Sequence, residues 1–414
     1  MARAGQRIVG PDDGGLPGRM AVGVLTRAFP PGLVDEAVVA AQVGEQRTRI
    51  LPARLVVYYV LAMIMFFQSS YSEVWVKLVG GLDWAMPFRV PAAARRPPSP
   101  AAISQARARL GWQVMADLLD RVAGPLAEEA DSWAHVAGLR LVAVDGLTIN
   151  VPDTAKNAAE FGRPHDGAGP GTFPQVRTVA LAECGSRALL GARCAGGATS
   201  DQELMAQLID RMRPGMLVLA DRSFLSPRSL QDTIATGAHA LFRAMSEPDL
   251  PVLGVLVDGT YISRISDLRA PRGLRRQGES GENALGISVR VIEYSASDDD
   301  GDNPTDVVRL VTDVIDPAQL SAKDAVHAFA QRWEIETVFG ERGTGIHGDR
   351  EVMLRSKSPD MIRQEVYAAL CVYQAIRPLI RTSTLDATLG PDRFTCATSA
   401  VAPRSGDAGA PASG

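Results

Sequence analysis

Leu139–Val151, "LRLVAVDGLTINV", decides how this chain folds. Leu141 to Val144 form an apolar run of the kind a fully buried strand needs, and the residues after it alternate. Asp145 stands where one pattern gives way to the other. Gly215–Phe224, "GMLVLADRSF", repeats the plan, with Met216 to Ala220 leading into Asp221. A carboxylate at the end of a buried strand is costly unless it meets a cation, a metal or a set of N–H donors. If the two strands are parallel neighbours, both acids lie at one rim of the sheet, where open α/β sheets hold their ligands.

The surrounding texture is strand, loop, strand, helix. "FPQVRTVALAECGSRALLGARC" (173–194) predicts two strands about the turn Cys184-Gly185-Ser186, and "DQELMAQLIDRM" (201–212) an amphipathic helix. A further helix is predicted at "SPRSLQDTIAT", with Ser226 as its N-cap. "GTYISRIS", "GISVRVIEYSA" and "DVVRLVTDV" then follow without intervening helices, so residues 246–314 are expected to form a β-rich insertion. Before Leu139 the pattern is helical. "PPGLVDEAVVAAQVGEQ" and "LPARLVVYYVLAMIMFF" each carry Pro near the start, and "VPAAARRPPSP" is a linker. "AAISQARARLGWQVMADLLDRV" breaks at Gly111 into two short helices, which suits a helix-turn-helix and equally an αα-hairpin. After Thr382 periodicity gives way to Ala, Gly, Ser and Pro, the composition of a disordered tail.

The expected organisation is therefore a helical N-terminal domain (1–135) and an α/β core in two parts (136–245 and 315–381). The insertion (246–314) interrupts the core, and a tail (382–414) follows it. At 414 residues, 46% apolar and 22% charged, the composition is that of a globular protein with a sizeable core. The apolar run Leu55–Gln68 is shorter than the ~20 residues of a membrane span and reads as a core helix. The first fifteen residues contain no apolar signal core. The cysteines, Cys184, Cys194, Cys371 and Cys396, form no C-x-x-C pair, which argues against a structural zinc site. The G-x-G-x-x-G match at Gly343–Gly348 follows a helical pattern and opens no βαβ unit, so it is no dinucleotide loop.

A third acid comes from "RWEIETVFGE" (332–341). On a continuous helix Phe329, Arg332 and Glu336 share one face, whereas Glu334 points elsewhere. Three carboxylates with few other ligands suit Mg²⁺ or Mn²⁺, and two such ions can activate a water or a 3′-hydroxyl. Arg332 then suits a phosphate. Each residue singly has a plainer reading: a strand-end Asp as a turn residue, and an Arg–Glu pair at i, i+4 as a surface ion pair. The net charge of −4 does not advertise a nucleic-acid partner, but the arginines are unevenly spread. Arg272, Arg275 and Arg276 cluster in one stretch, Arg342, Arg355 and Lys357 in another, and Arg107 and Arg109 lie on the first helix before Gly111.

These blocks resemble the insertion sequence 4 family of DDE transposases, from about Val34 to Arg381. "VDGLTINVPDTAKNAAEFGRP" is similar to the block carrying the family's first Asp, and "GMLVLADRSF" to that carrying the second. "RWEIETVFGE" with "VMLRSKSPDMIRQEVYAAL" is similar to the block carrying the Glu, and Leu51–Leu110 with "AISQARARLG" to the helical N-terminal domain. The resemblance implies an RNase H-like mixed sheet flanked by helices, interrupted by a β-rich insertion and preceded by an all-α domain that binds transposon ends. It implies metal-binding catalytic roles for Asp145, Asp221 and Glu336, served by two Mg²⁺ or Mn²⁺ ions. Phe329 and Arg332, at the positions of the family signature, are the implied DNA contacts, and the basic residues just named are expected to add others. It further implies cut-and-paste transposition by a homodimer on DNA, in the bacterial cytoplasm at the nucleoid, with no membrane partner. The family's Tyr–Arg–Glu–Lys signature reads Phe329, Arg332, Glu336 and Gly343 in this chain. A copy that binds ends without cutting is the alternative that these two departures favour, and a metal-dependent nuclease is a further one.

Overall fold

The computed structural model describes residues 15–44, 51–85, 95–164, 171, 173–245, 250–266, 286–295, 307–333, 335 and 354–384. The chain opens with α1 (Gly15–Ala28), α2 (Pro31–Ala40), α3 (Ala53–Met65), α4 (Tyr71–Ala85), α5 (Pro100–Leu110) and α6 (Gln113–Val122). Every residue of α3 from Leu55 to Ile64 is buried. A helix that is apolar all round belongs inside a bundle. The other N-terminal helices pack about it, and among the described residues no helix is long and apolar enough to cross a membrane. Ser99 caps α5 by accepting from the Ala102 amide, and α5 ends at Gly111, whose φ of +72° favours glycine.

The remaining chain builds one sheet from β1 (His135–Val136), β2 (Leu139–Asn150), β3 (Gln175–Glu183), β4 (Leu189–Gly196), β5 (Met216–Ala220), β6 (His239–Arg243), β7 (Gly254–Val255), β8 (Tyr261–Ser266), β9 (Gly286–Ser295) and β10 (Val307–Thr312). Its order is β4-β3-β2-β5-β6-β10-β9-β8-β7, with β1 paired to β2. β2, β3 and β4 form an antiparallel meander, β2–β5–β6 are parallel, and β10 returns antiparallel to β6. The strands expected as an insertion thus extend the core sheet, Leu310 pairing with Arg243 and Thr312 with Leu241. Backbone groups along β6 are satisfied by β10, and the sheet has no boundary there.

Side chains alternate across the central strands. Leu141, Ala143, Leu217, Leu219 and Leu241 join one core, and Val142, Val144, Val218, Ala220 and Phe242 the other. α7 (Ala155–Phe161) follows β2, and the second core is closed by α8 (Asp201–Ala206) and α9 (Pro227–Ala235). The helix expected over 201–212 is shorter than its periodicity suggests. After Ala206 it tightens, through bonds from Leu208 N to Met205 O and Arg211 N to Leu208 O, into a 3₁₀ turn at Ile209–Arg211. Ser226 caps α9 as expected, accepting from the Ser229 amide.

The first core runs without a break into the N-terminal bundle. α10 (Ala322–Ala330) and the long α11 (Pro359–Thr384) form its roof. α11 reaches Thr384, slightly beyond the expected start of the tail, and residues 385–414 lie outside the described residues. Arg107 of α5 enters this interior. Its Nε donates to Gln364 Oε1 (2.9 Å), and its Nη2 to Ser356 Oγ (3.0 Å) and Glu365 Oε1 (3.1 Å). The expectation that Arg107 contacts DNA is therefore corrected: its guanidinium is 1% exposed and its donors are spent inside the protein.

Candidate active site

β2 and β5 run parallel with Val144 opposite Ala220, so the next residues, Asp145 and Asp221, lie side by side. Both follow the alternation of Ala143 and Leu219, so both project from the sheet face roofed by α10 and α11. β5 ends at Ala220, whereas β2 continues beside β3, with Asp145 opposite Ala180. The sheet therefore opens a notch at the two acids.

Asp145 Oδ1 accepts from the Gly146 amide at 2.8 Å, and its Oδ2 lies 3.7 Å from Arg332 Nη1. Asp221 stands at the head of a 3₁₀ turn, Arg222–Phe224, yet its side chain makes no capping bond. Its Oδ1 is buried and accepts no hydrogen bond among the described residues, with Arg243 Nη1 at 4.0 Å. A buried carboxylate oxygen without a donor costs about 1–3 kcal/mol. Two adjacent carboxylates with such an acceptor form a hard-oxygen donor set, which suits Mg²⁺ or Mn²⁺. Asp201 does not join them. It pairs with Arg177 at 3.4 Å, beside Gly146 on the opposite face.

Phe329, Arg332 and Glu336 were expected on one uninterrupted helix. α10 instead stops at Ala330, with Gln331 as its C-cap, and the chain turns at Gln331–Arg332. The turn swings Arg332 under the roof, where it is buried beside Asp145, its guanidinium 5.8 Å from the Phe329 ring and 5.2 Å from that of Trp333. Phe329 is 6% exposed and packs in the first core, which corrects its expected DNA contact: a buried hydrocarbon ring has no surface to offer. Glu336 lies outside the described residues, as do Arg272, Arg275, Arg276 and Arg342.

The other basic candidates are spread over the surface. Arg109 is exposed on α5. Lys357 is exposed, and its carbonyl accepts from Thr154 Oγ1. Arg355 is half-buried, donating to Ser69 O at 3.0 Å with its guanidinium 4.5 Å from the Phe67 ring. Two residues at the rim escaped the sequence reading. Trp333 exposes 62% of its surface next to Arg332, and Arg243 ends β6 level with Asp221. Arg243 closes the apolar run Ala240–Phe242 as the two acids close theirs, so its signal was present.

The class that emerges is an RNase H-like α/β enzyme with a mixed sheet behind a helical N-terminal region. Residues 19–120 match the insertion element 4 transposase N-terminal family, and residues 137–375, more than half of the chain, match the transposase DDE domain. The chain belongs to the insertion sequence 4 type of DDE transposase, and its chemistry is phosphoryl transfer on DNA. It is 26% identical over 352 residues to the transposase InsG for insertion sequence element IS4 of Escherichia coli (strain K12), covering 84% of this chain and 74% of that protein. A cryo-EM structure of the piggyBac transposase synaptic complex with hairpin DNA aligns with a TM-score of 0.44 at 9% identity, over 91% of this chain and 77% of that one. DNA is the partner, and a divalent metal is the general requirement of the family.

Proposed function

We propose that Asp145, Asp221 and Glu336 form the catalytic triad of a cut-and-paste transposase. In this reading the chain nicks DNA at the transposon ends, and the freed 3′-hydroxyl attacks target DNA. The observation that carries it is the placing of Asp145 and Asp221 side by side just past the last paired residues of β2 and β5, with an acceptor on Asp221 that no donor among the described residues fills. Two bound Mg²⁺ or Mn²⁺ ions would supply an activated oxygen nucleophile and charge neutralisation at the leaving oxygen. Asp145 and Asp221 would hold them together with Glu336. Arg332 orients Asp145 from the roof side. Trp333 offers an exposed indole on which an unpaired base can stack.

The same reading assigns end binding to residues 1–135, catalysis to 136–245 and 315–381, and assembly to a homodimer bridging two ends at the nucleoid. Arg109, Lys357 and Arg355, with Arg272, Arg275, Arg276 and Arg342, are then backbone contacts. A second reading, end binding without cleavage, draws on Phe329 and Gly343, which stand where the family signature has Tyr and Lys. Incubating the full chain with labelled end DNA and Mg²⁺ or Mn²⁺ separates the two. Nicking that vanishes in Glu336→Gln while binding persists supports the triad; tight binding with no nicking by the unaltered chain favours the second reading.

A further inference from the structure

The rim carries a second arginine that the triad does not use. β5 and β6 pair in parallel with Ala220 opposite Phe242, so Arg243 is level with Asp221. By alternation from Leu241 it projects from the same face as the two acids. Asp145, Asp221 and Arg243 thus form a row across three parallel strands, about 10 Å from end to end. The mount is rigid: Arg243 also pairs with Leu310 of β10, and the next amide, Ala244 N, donates to Arg309 O at 2.8 Å.

Its guanidinium is not committed in the way that other core arginines are. Arg290 donates to Thr260, Leu320 and Asp258, and Arg107 to Gln364, Ser356 and Glu365. For Arg243 the pairing found among the described residues is the 4.0 Å approach to Asp221 Oδ1, beyond hydrogen-bond reach. A structural Arg–carboxylate pair closes to about 2.7–2.9 Å. Asp221 and Arg243 stand side by side instead, the former 29% and the latter 34% exposed, each facing the open rim. A planar fork whose N–H donors are not spent on the described residues suits a phosphodiester. Arg332 lies 3.7 Å from Asp145 and Arg243 4.0 Å from Asp221, so each acid has a cation of its own beside it.

We infer that Arg243 grips a DNA backbone phosphate next to the one being cut, on the Asp221 side of the acidic pair. This rests on the site proposed above. Arg243 stands at the outer end of the row, two strands from Asp145, so the role assigned to it is to hold the DNA strand in place.

The test is a binding measurement in EDTA, and it therefore reads Arg243 independently of cleavage. The full-length chain is titrated with labelled end duplexes, each carrying one neutral methylphosphonate at a position within three nucleotides of the cut. The unaltered chain should lose about tenfold in affinity at one position next to the scissile phosphate. Arg243→Ala should lose about tenfold on unmodified DNA and then be insensitive at that position. Arg243→Lys, which keeps the charge without the fork, should fall between the two and serves in its place if the alanine variant does not fold. An Arg243→Ala profile that keeps every sensitivity of the unaltered chain overturns the assignment, as does an unaltered chain that shows none. Nicking that survives Asp221→Asn would overturn the triad instead and leaves the methylphosphonate result standing by itself.

Discussion

Arg107 Nη2 lies 3.1 Å from Glu365 Oε1, and both side chains are sealed from solvent. Glu365 also accepts the Arg355 amide at 2.9 Å, and Gln364 returns bonds to the carbonyls of Arg107 (3.1 Å) and Gly111 (2.7 Å). One buried network therefore ties the helix α5, its break at Gly111, and the segment carrying Arg355 and Lys357 to α11. Removing one partner of such a pair strands the other charge, at about 3–5 kcal/mol. Arg107→Ala should lower unfolding free energy by that amount in urea melts. The fraction that remains folded should bind end DNA with an unchanged salt slope, since the guanidinium never reaches the surface.

Arg109, two residues on, behaves in the opposite way. It is exposed and on the far side of the same helix. Arg109→Ala should change stability by less than about 0.5 kcal/mol. If it meets a phosphate, the slope of log affinity against log salt should fall by about one. The measurement is a salt titration of end-DNA binding by each variant.

These two arginines show how far the sequence could be read. Ile103, Arg107 and Leu110 are spaced four and three apart, so Arg107 falls on the buried stripe of α5 and Arg109 off it. That much was legible. Gln364 and Glu365 lie more than 250 residues away, and no local pattern names them. That Asp145 and Asp221 close apolar runs was legible, because an apolar run that halts on a carboxylate is locally costly, but β2 continues past Asp145 to Asn150 whereas β5 stops before Asp221. Their register, and the return of β10 to β6, depend on pairing between distant segments, which periodicity does not encode. The break after Ala330 was hidden as well, because "RWEIETVFGE" has helical composition and the turn at Gln331–Arg332 contains neither Gly nor Pro.

At the far edge of the sheet, Asp258 predicts an acid limb of stability. Burial alone would raise its pKa. The bonds from Thr260 and the charge of Arg290 outweigh burial and hold it below the usual carboxylate range. A depressed folded-state pKa gives stability that is fully present above the unfolded value, near 3.9, and is lost as pH falls through the folded value. Asp258→Asn should therefore flatten the stability-versus-pH curve below about pH 4 and lower it at neutral pH. Urea melts at pH 7 and pH 3 measure both effects.

Trp333 tests the stacking surface. Because the ring is largely exposed, Trp333→Ala should alter stability by only about 0.5 kcal/mol. Loss of one stacked base costs about 1–3 kcal/mol of binding. The loss should appear with end DNA whose terminal bases are unpaired and shrink with fully paired duplex, as read by titration of each substrate.

Asp221 separates a metal site from a structural acid most directly. Its buried Oδ1 accepts no hydrogen bond among the described residues, so the carboxylate is a local cost that function has to justify. Asp221→Asn removes the charge at constant shape and should raise stability by about 1 kcal/mol in metal-free buffer. For the unaltered chain, Mg²⁺ at about a hundred times its dissociation constant should add about 2.7 kcal/mol. Asp221→Asn should lose most of that increment together with nicking, while Asp201→Asn, on the other face of the sheet, should keep both. Thermal melts with and without Mg²⁺ read the outcome. An equal Mg²⁺ shift in the unaltered chain and in Asp221→Asn would mean that the ion binds elsewhere.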